Sequence, residues 1–236
     1  VHDTQHEAIT IYPSWTGGVL NTATNITVRN CTTYNTGRND TNHYFDIGIM
    51  IANRVIGGVF EFNVCYGSLG GILVTNSGYG TPGDPTNIHI RYNILRNNTS
   101  GNYPYGLGFS TDRNVGPLSY ASIYAYGNLI HSNGWAGILF AADYGASTVY
   151  LYNNTIYQAG GVAGIKLWNT FSGTNGTYEL KNNIINTTNV PAIFFDAAAD
   201  ASFFTHSNNL YYRSDSASND HVLVESTSYN RAGVTT

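Results

Sequence analysis

Apolar and polar residues alternate with period two along short runs, each closed by Asn, Gly or Ser. The clearest is Thr148-Val149-Tyr150-Leu151-Tyr152-Asn153-Asn154-Thr155-Ile156. It recurs from Ile88, Ile123 and Tyr178, more weakly from Phe204, and upstream from Ile26 and Phe60. The starts at 26, 60, 88, 123, 149, 178 and 204 lie 26 to 35 residues apart. A second element follows, a small residue and then an apolar-x-apolar triplet: Gly48-Ile49-Met50-Ile51, Gly71-Ile72-Leu73-Val74 and Gly106-Leu107-Gly108-Phe109. The series continues through Gly137-Ile138-Leu139-Phe140, Gly164-Ile165-Lys166-Leu167 and Ala192-Ile193-Phe194-Phe195. These runs are too short, too β-branched and too aromatic for helices, and period two puts one face inside.

A period near 30 residues with three short strands predicts a coil that cannot bury its own apolar face, so neighbouring coils stack about 4.8 Å apart. The expected fold is all-β: a single solenoid domain over 1–236 with about seven coils. This pattern resembles the right-handed parallel β-helix of the pectin-lyase-like superfamily. In that resemblance the template is strand PB2 running into PB3 across a turn of fixed length, and the Gly-Ile-x-Ile element is PB1. Alignment of the template stacks Cys31, Cys65, Asn93, Asn128, Asn154, Asn183 and Asn209 in one inward column, where asparagines can hydrogen-bond one another and the turn backbone. The two cysteines, stacked within disulfide reach, are expected either as a bridge or as two buried thiols.

Val1–Ile11 aligns without gaps on Ile130–Phe140, and Val222-Leu223-Val224 reads as a last PB1 strand. The chain is thus expected to enter and leave in mid-coil, as a piece of a longer protein or one that stacks end to end. No charged, then apolar, leader opens it.

Composition narrows the function classes. Only 10 % of the 236 residues are charged and the formal net charge is -4, so a cationic surface that displaces phosphate counterions is excluded. A 42 % apolar content disfavours disorder, and no run reaches the length of a membrane span.

The resemblance implies a substrate lying along PB1. The outward PB1 row, Thr10, Met50, Leu73, Gly108, Leu139, Lys166 and Phe194, is mostly apolar and suits a covering loop or a partner. Asp112 and Asp143 each fall five residues after an inward PB1 residue, Arg54 shares that offset, and Arg113 follows Asp112. Two carboxylates one rung apart could act as acid and nucleophile or chelate Ca2+, and Asp also favours turns for its own sake. Lys166 fits the base that lyases of this fold use on uronates, and is equally read as a solvated surface lysine. Trp168, on the same strand, could stack on a sugar. His43 and Asp46 are acid/base candidates before a PB1 strand, and His2, Asp3, His6 and Glu7 form a further cluster.

On PB2 one outward column holds Glu61, His89, Tyr124, Tyr150 and Glu179, and the next holds Arg29, Asn63, Arg91, Tyr126, Tyr152 and Lys181. Tyr124, Tyr126, Tyr150 and Tyr152 make an aromatic patch with hydroxyl tips that suits a glycan, a protein or a packed loop. Of eight Asn-x-Ser/Thr sequons, Asn39, Asn98 and Asn175 are the accessible candidates. The expected function is an extracellular or cell-surface β-helix that binds a polysaccharide; if the chain is an enzyme, lyase or hydrolase chemistry at PB1 is the expected class. The alternative is a structural appendage that self-associates through its ends or its apolar PB1 face.

Overall fold

The computed structural model describes residues 1–4, 6–16, 19–37, 46–76, 85–111, 122–141, 148–168, 177–196, 204–214, 220–224 and 227–230. No helix occurs among them, so none is long and apolar enough to cross a membrane. The strands form a parallel β-solenoid with three sheets. PB1 runs from Ile9–Ile11 through Ile47–Ala52, Gly70–Asn76, Tyr105–Thr111, Ala136–Ala141, Ala163–Trp168 and Ile193–Phe195 to Asp220–Val224. PB2 contains Thr27–Arg29, Val55–Glu61, Thr86–Arg91, Ile123–Tyr126, Thr148–Tyr152, Thr177–Lys181 and Phe204–Ser207. PB3 contains Thr32–Tyr34, Val64–Tyr66, Ile94–Arg96, Leu129–His131, Thr155–Ala159, Ile184–Thr188 and Leu210–Arg213.

The complete coils number about five rather than seven. Those from Val55–Asn76 to Thr177–Phe195 have a paired neighbour on both sides in all three sheets, whereas the first and last template matches form edge strands in PB2 and PB3. The alignment of the first segment holds: Ile9 pairs with Ile49, and His2 bridges to Tyr34. Val222 pairs with Ile193 as the last PB1 strand requires.

Alternation puts Ile49, Ile72, Leu107, Ile138, Ile165 and Ile193 inside from PB1, Phe60, Ile90, Ala125, Leu151 and Leu180 from PB2, and Cys65, Leu95, Ile130, Ile156 and Ile185 from PB3. Each PB2–PB3 turn is two residues. Its first residue has a left-handed backbone in every coil: Asn30, Phe62, Tyr92, Gly127, Asn153, Asn182 and Asn208, with φ between 54° and 65°. Asn and Gly tolerate that region, whereas an aromatic residue there costs about 1–2 kcal/mol.

The second turn residue builds the ladder. Asn93 Nδ2 donates to Phe60 O at 2.9 Å and Asn128 Oδ1 at 3.0 Å. The same pattern links Asn63, Asn93, Asn128, Asn154, Asn183 and Asn209, and Cys31 N donates to Asn63 Oδ1 at the first rung. One expected rung is therefore corrected: Asn63 occupies it, and Cys65 lies two residues further, in the PB3 core opposite Leu95. The true PB2 strand pairs Phe60 with Ile90 and Gly58 with Ile88. Gly58 holds a position filled in the later coils by Ile88, Ile123, Val149, Tyr178 and Phe204, because the Phe60 ring occupies its side-chain space, with Cε2 at 2.7 Å from an added Cβ. Cys31 and Cys65 thus occupy different columns, and both are free thiols.

A second polar ladder closes PB3. Thr36 Oγ1 donates to Ser68 Oγ at 2.8 Å, Ser68 N to Asn98 Oδ1 at 3.2 Å, and Asn98 Nδ2 to Asn133 Oδ1 at 2.9 Å. Asn133 N donates to Gln158 Oε1 at 3.2 Å. All five side chains are buried, so Asn98, expected as an accessible sequon, is a structural rung that no glycan reaches in the folded chain.

Burial pushes the Cys65 thiol up to about 12. The folded chain keeps this proton above pH 9, where the unfolded chain releases it, so stability falls as pH rises from about 9 towards 12 by about 1.4 kcal/mol per unit. Urea melts at pH 8, 9, 10 and 11 are expected to show this slope, reduced by up to one proton in Cys65→Ala. An unchanged slope would remove Cys65 from the alkaline limb.

Candidate functional site

Over its middle coils the PB1 exterior is buried among apolar side chains. Met50, Leu73 and Leu139 share one outward column, as expected, and are buried in a second apolar cluster with Ile47, Ala52 and Tyr105. The Tyr105 ring lies over Gly70 and Gly108, where any added Cβ would come within 2.6 Å of it. Lys166 follows in the same column and is 3 % exposed. Its ammonium is ion-paired with the Asp196 carboxylate and stands 3.5 Å from the centroid of the Phe194 ring. The reading of Lys166 as a solvated surface lysine is thereby corrected. Its charge is buried, and Asp196, on the next coil, is the partner that the spacing did not reveal.

Asp46 is also buried rather than open to solvent. Its Oδ2 accepts from Ser100 Oγ at 3.3 Å, and its carboxylate fills the space above Gly37. Arg54 lies half-buried in the short connection between PB1 and PB2. Trp168 ends the PB1 strand, paired with Ala141. Asp112, Arg113, Asp143 and His43 lie outside the described residues, as do the sequons Asn39 and Asn175. His2 and Asp3 are exposed and joined to each other, Nδ1 to Oδ2 at 2.9 Å, and the His2 ring stacks on Tyr34. No group of three or more His, Cys, Asp or Glu side chains among the described residues could hold a metal ion.

PB2 carries the richest exterior. The His89, Tyr124 and Tyr150 rings stack at 4.9 and 4.8 Å with planes within 11° of parallel. Coil spacing nearly equals the ring-stacking distance, so these rings spend their faces on one another and turn edges and hydroxyls outward. The adjoining column differs from expectation because of the two-residue correction: Glu61, not Asn63, pairs with Arg91. Arg91 Nε donates to Glu61 Oε2 at 2.7 Å and Nη1 to Tyr126 Oη at 2.9 Å, while Tyr152 Oη donates to Glu179 Oε2 at 2.8 Å. Partial burial and then the Arg91 charge hold the His89 imidazole below its ordinary pKa, so it is neutral at pH 7.

Beside it, at the PB2–PB3 corner, the pattern of strands alone did not mark Phe62 and Tyr92. Both have the strained left-handed backbone, both are about half exposed (53 % and 47 %), and their rings stack at 5.4 Å. Arg91 Cζ lies 5.9 Å from the Tyr92 and Tyr126 ring centroids. The available signal was an aromatic residue in a turn slot that Asn or Gly fills in the other coils.

No family model, curated protein or solved structure matches the chain.

Proposed function

We propose that this chain is an extracellular or cell-surface carbohydrate-binding β-solenoid whose glycan lies on the PB2 face and against the Phe62–Tyr92 corner. The observation that carries this reading is the pair of exposed aromatic rings held in a costly backbone conformation beside the Arg91–Glu61 pair. Strain of that kind persists where the surroundings over-determine it, and it concentrates at ligand sites. A sugar ring offers an apolar C–H face to Phe62 or Tyr92, and its hydroxyls match the guanidinium, carboxylate and phenol groups of Arg91, Glu61 and Tyr126. Three sheets, a fixed PB2–PB3 turn and an asparagine ladder support the pectin-lyase-like resemblance. The buried and ion-paired Lys166 supports binding over cleavage at PB1.

The test is retention of the purified chain on a panel of immobilised polysaccharides. Arg91→Gln and Tyr92→Asn are each expected to weaken the retained interaction by about fivefold or more, roughly 1 kcal/mol. Asn relieves the left-handed strain, so Tyr92→Asn is expected to keep or raise the melting temperature while it loses binding. Wild-type binding to none of the polysaccharides, or full binding by both variants, would sink the reading. Release of reducing ends or unsaturated uronates, abolished by Asp112→Asn or Asp143→Asn, would return the chemistry to PB1.

A further inference from the structure

Among the described residues, the PB3 exterior is neither closed by an apolar cluster, as that of PB1 is, nor tied into a polar network, as that of PB2 is. One outward column reads Thr32, Val64, Ile94, Leu129, Thr155, Ile184 and Leu210, and its neighbour reads Tyr34, Tyr66, Arg96, His131, Tyr157, Asn186 and Tyr212. Leu129, Tyr157, Ile184, Leu210 and Tyr212 are between 39 and 58 % exposed, an unusual density of open large apolar side chains on one flat face. The Phe62–Tyr92 corner borders it.

We infer that the PB3 exterior is a face on which a second copy of this chain docks, antiparallel, about a two-fold axis along the Leu129–His131 strand. The order of side chains fits that operator. Reversal about Leu129 sets Val64 against Ile184, Ile94 against Thr155 and Leu210 against Thr32, with Leu129 meeting itself, so apolar side chains meet at three of the seven rungs and each of the other four sets a threonine against Ile or Leu. In the second column it sets Arg96 against the Tyr157 ring and Tyr34 against Tyr212, a cation–π and an aromatic pairing with no Arg opposite Arg. Arg96 already makes such a contact within the chain, its Cζ 4.9 Å from the Tyr66 ring centroid. His131 meets its own copy, and both imidazoles are neutral at pH 7 because burial and Arg96 hold them below their ordinary pKa.

Seven strands at about 4.8 Å and four to five residues of width give a face of about 30 by 15 Å. Two copies therefore bury roughly 900 Å² before side-chain relief is counted, below the about 1,200–2,000 Å² of stable specific interfaces and in the range of weak, transient ones. The expected product is a weak dimer that dissociates on dilution. This inference does not depend on the carbohydrate reading.

Sedimentation velocity on the chain in a Cys31→Ser background is expected to show a monomer–dimer equilibrium shifting with concentration. Leu129→Lys opposes two ammonium groups on the axis and is expected to lose the dimer at every concentration. The exposed position and an unchanged circular dichroism spectrum keep this distinct from unfolding. Leu129→Cys is expected to cross-link to itself on oxidation at least tenfold faster than Thr27→Cys on PB2. A monomer throughout, an undiminished Leu129→Lys dimer, or equal cross-linking rates would each overturn the proposal. So would a monomer whose polysaccharide retention falls in Leu129→Lys, which would assign PB3 to glycan.

Discussion

Asn128→Asp is expected to destabilise the solenoid by about 3–5 kcal/mol. The substitution exchanges one NH₂ group for an oxygen and leaves size and shape alone. Asn128 Nδ2 donates to Ile90 O at 2.8 Å and to Asn154 Oδ1 at 2.9 Å, and Oδ1 accepts from Asn93 N and Nδ2 at 3.0 Å. An ionised Asp keeps the two acceptances and loses both donations. Two buried acceptors then face a buried anion, on a rung 1 % exposed in the middle coil. The introduced carboxyl has a folded pKa raised above its unfolded value, so the deficit is greatest at neutral pH. It shrinks as pH falls through the folded pKa, where the protonated group regains one donor. Urea melts at pH 7 and 5 measure both terms. Asn209→Asp, on the half-buried last rung, is expected to cost markedly less. Equal costs at the two rungs would mean that the ladder is not the buried network its geometry indicates.

The ladder also shows how far the sequence reaches. Repetition made the three strands, the fixed turn and most columns legible, because every coil rewrites the same alternation and errors in one are corrected by the next. It misled at the coil where an inward slot is empty. Gly58 leaves no apolar mark, Phe60 fills the gap with its ring, and a search for apolar starts slides two residues forward. Cys65 was thereby placed on a polar rung when it belongs to the apolar PB3 interior. The second ladder was invisible for a different reason. Its rungs, Thr36, Ser68, Asn98, Asn133 and Gln158, share hydrogen-bonding capacity rather than identity, and Gln158 enters from a strand position one residue earlier by using its extra methylene.

The candidate surfaces divide in the same way. The tyrosine columns on PB2 could be read from spacing, but their mutual stacking follows from the near-equality of coil spacing and ring separation, which only the assembled sheets display. It leaves the half-exposed Phe62–Tyr92 pair, itself stacked ring on ring, as the more open aromatic side chains beside PB2. On PB1 the apolar row was legible and its closure by Tyr105 was not, since that closure requires glycine at both Gly70 and Gly108. What the solenoid offers to partners is therefore the reverse of what its outward rows suggest: PB1 is sealed, PB2 is polar and bonded, and PB3 is open.

Lys166 and Asp196 separate structure from chemistry on the sealed face. Asp196→Asn is expected to cost about 2–3 kcal/mol, less than a fully buried pair because Asp196 is 30 % exposed. It strips the carboxylate from an ammonium that is almost fully buried against the Phe194 ring. Lys166→Met is expected to fall within about 1 kcal/mol of the wild type or above it, because Met fills a similar volume beside Leu139 and Phe194 and returns Asp196 to water. The asymmetry distinguishes a buried charge held by its partner from a surface ion pair, for which both variants would cost little. Thermal melts of the two variants and the double variant measure it, and the double variant is expected to track Lys166→Met. The same proteins, assayed for unsaturated uronate release, test the base role. A Lys166→Met chain that folds normally yet loses a wild-type lyase activity would make Lys166 catalytic and overturn its assignment as a packed, ion-paired element of the PB1 face.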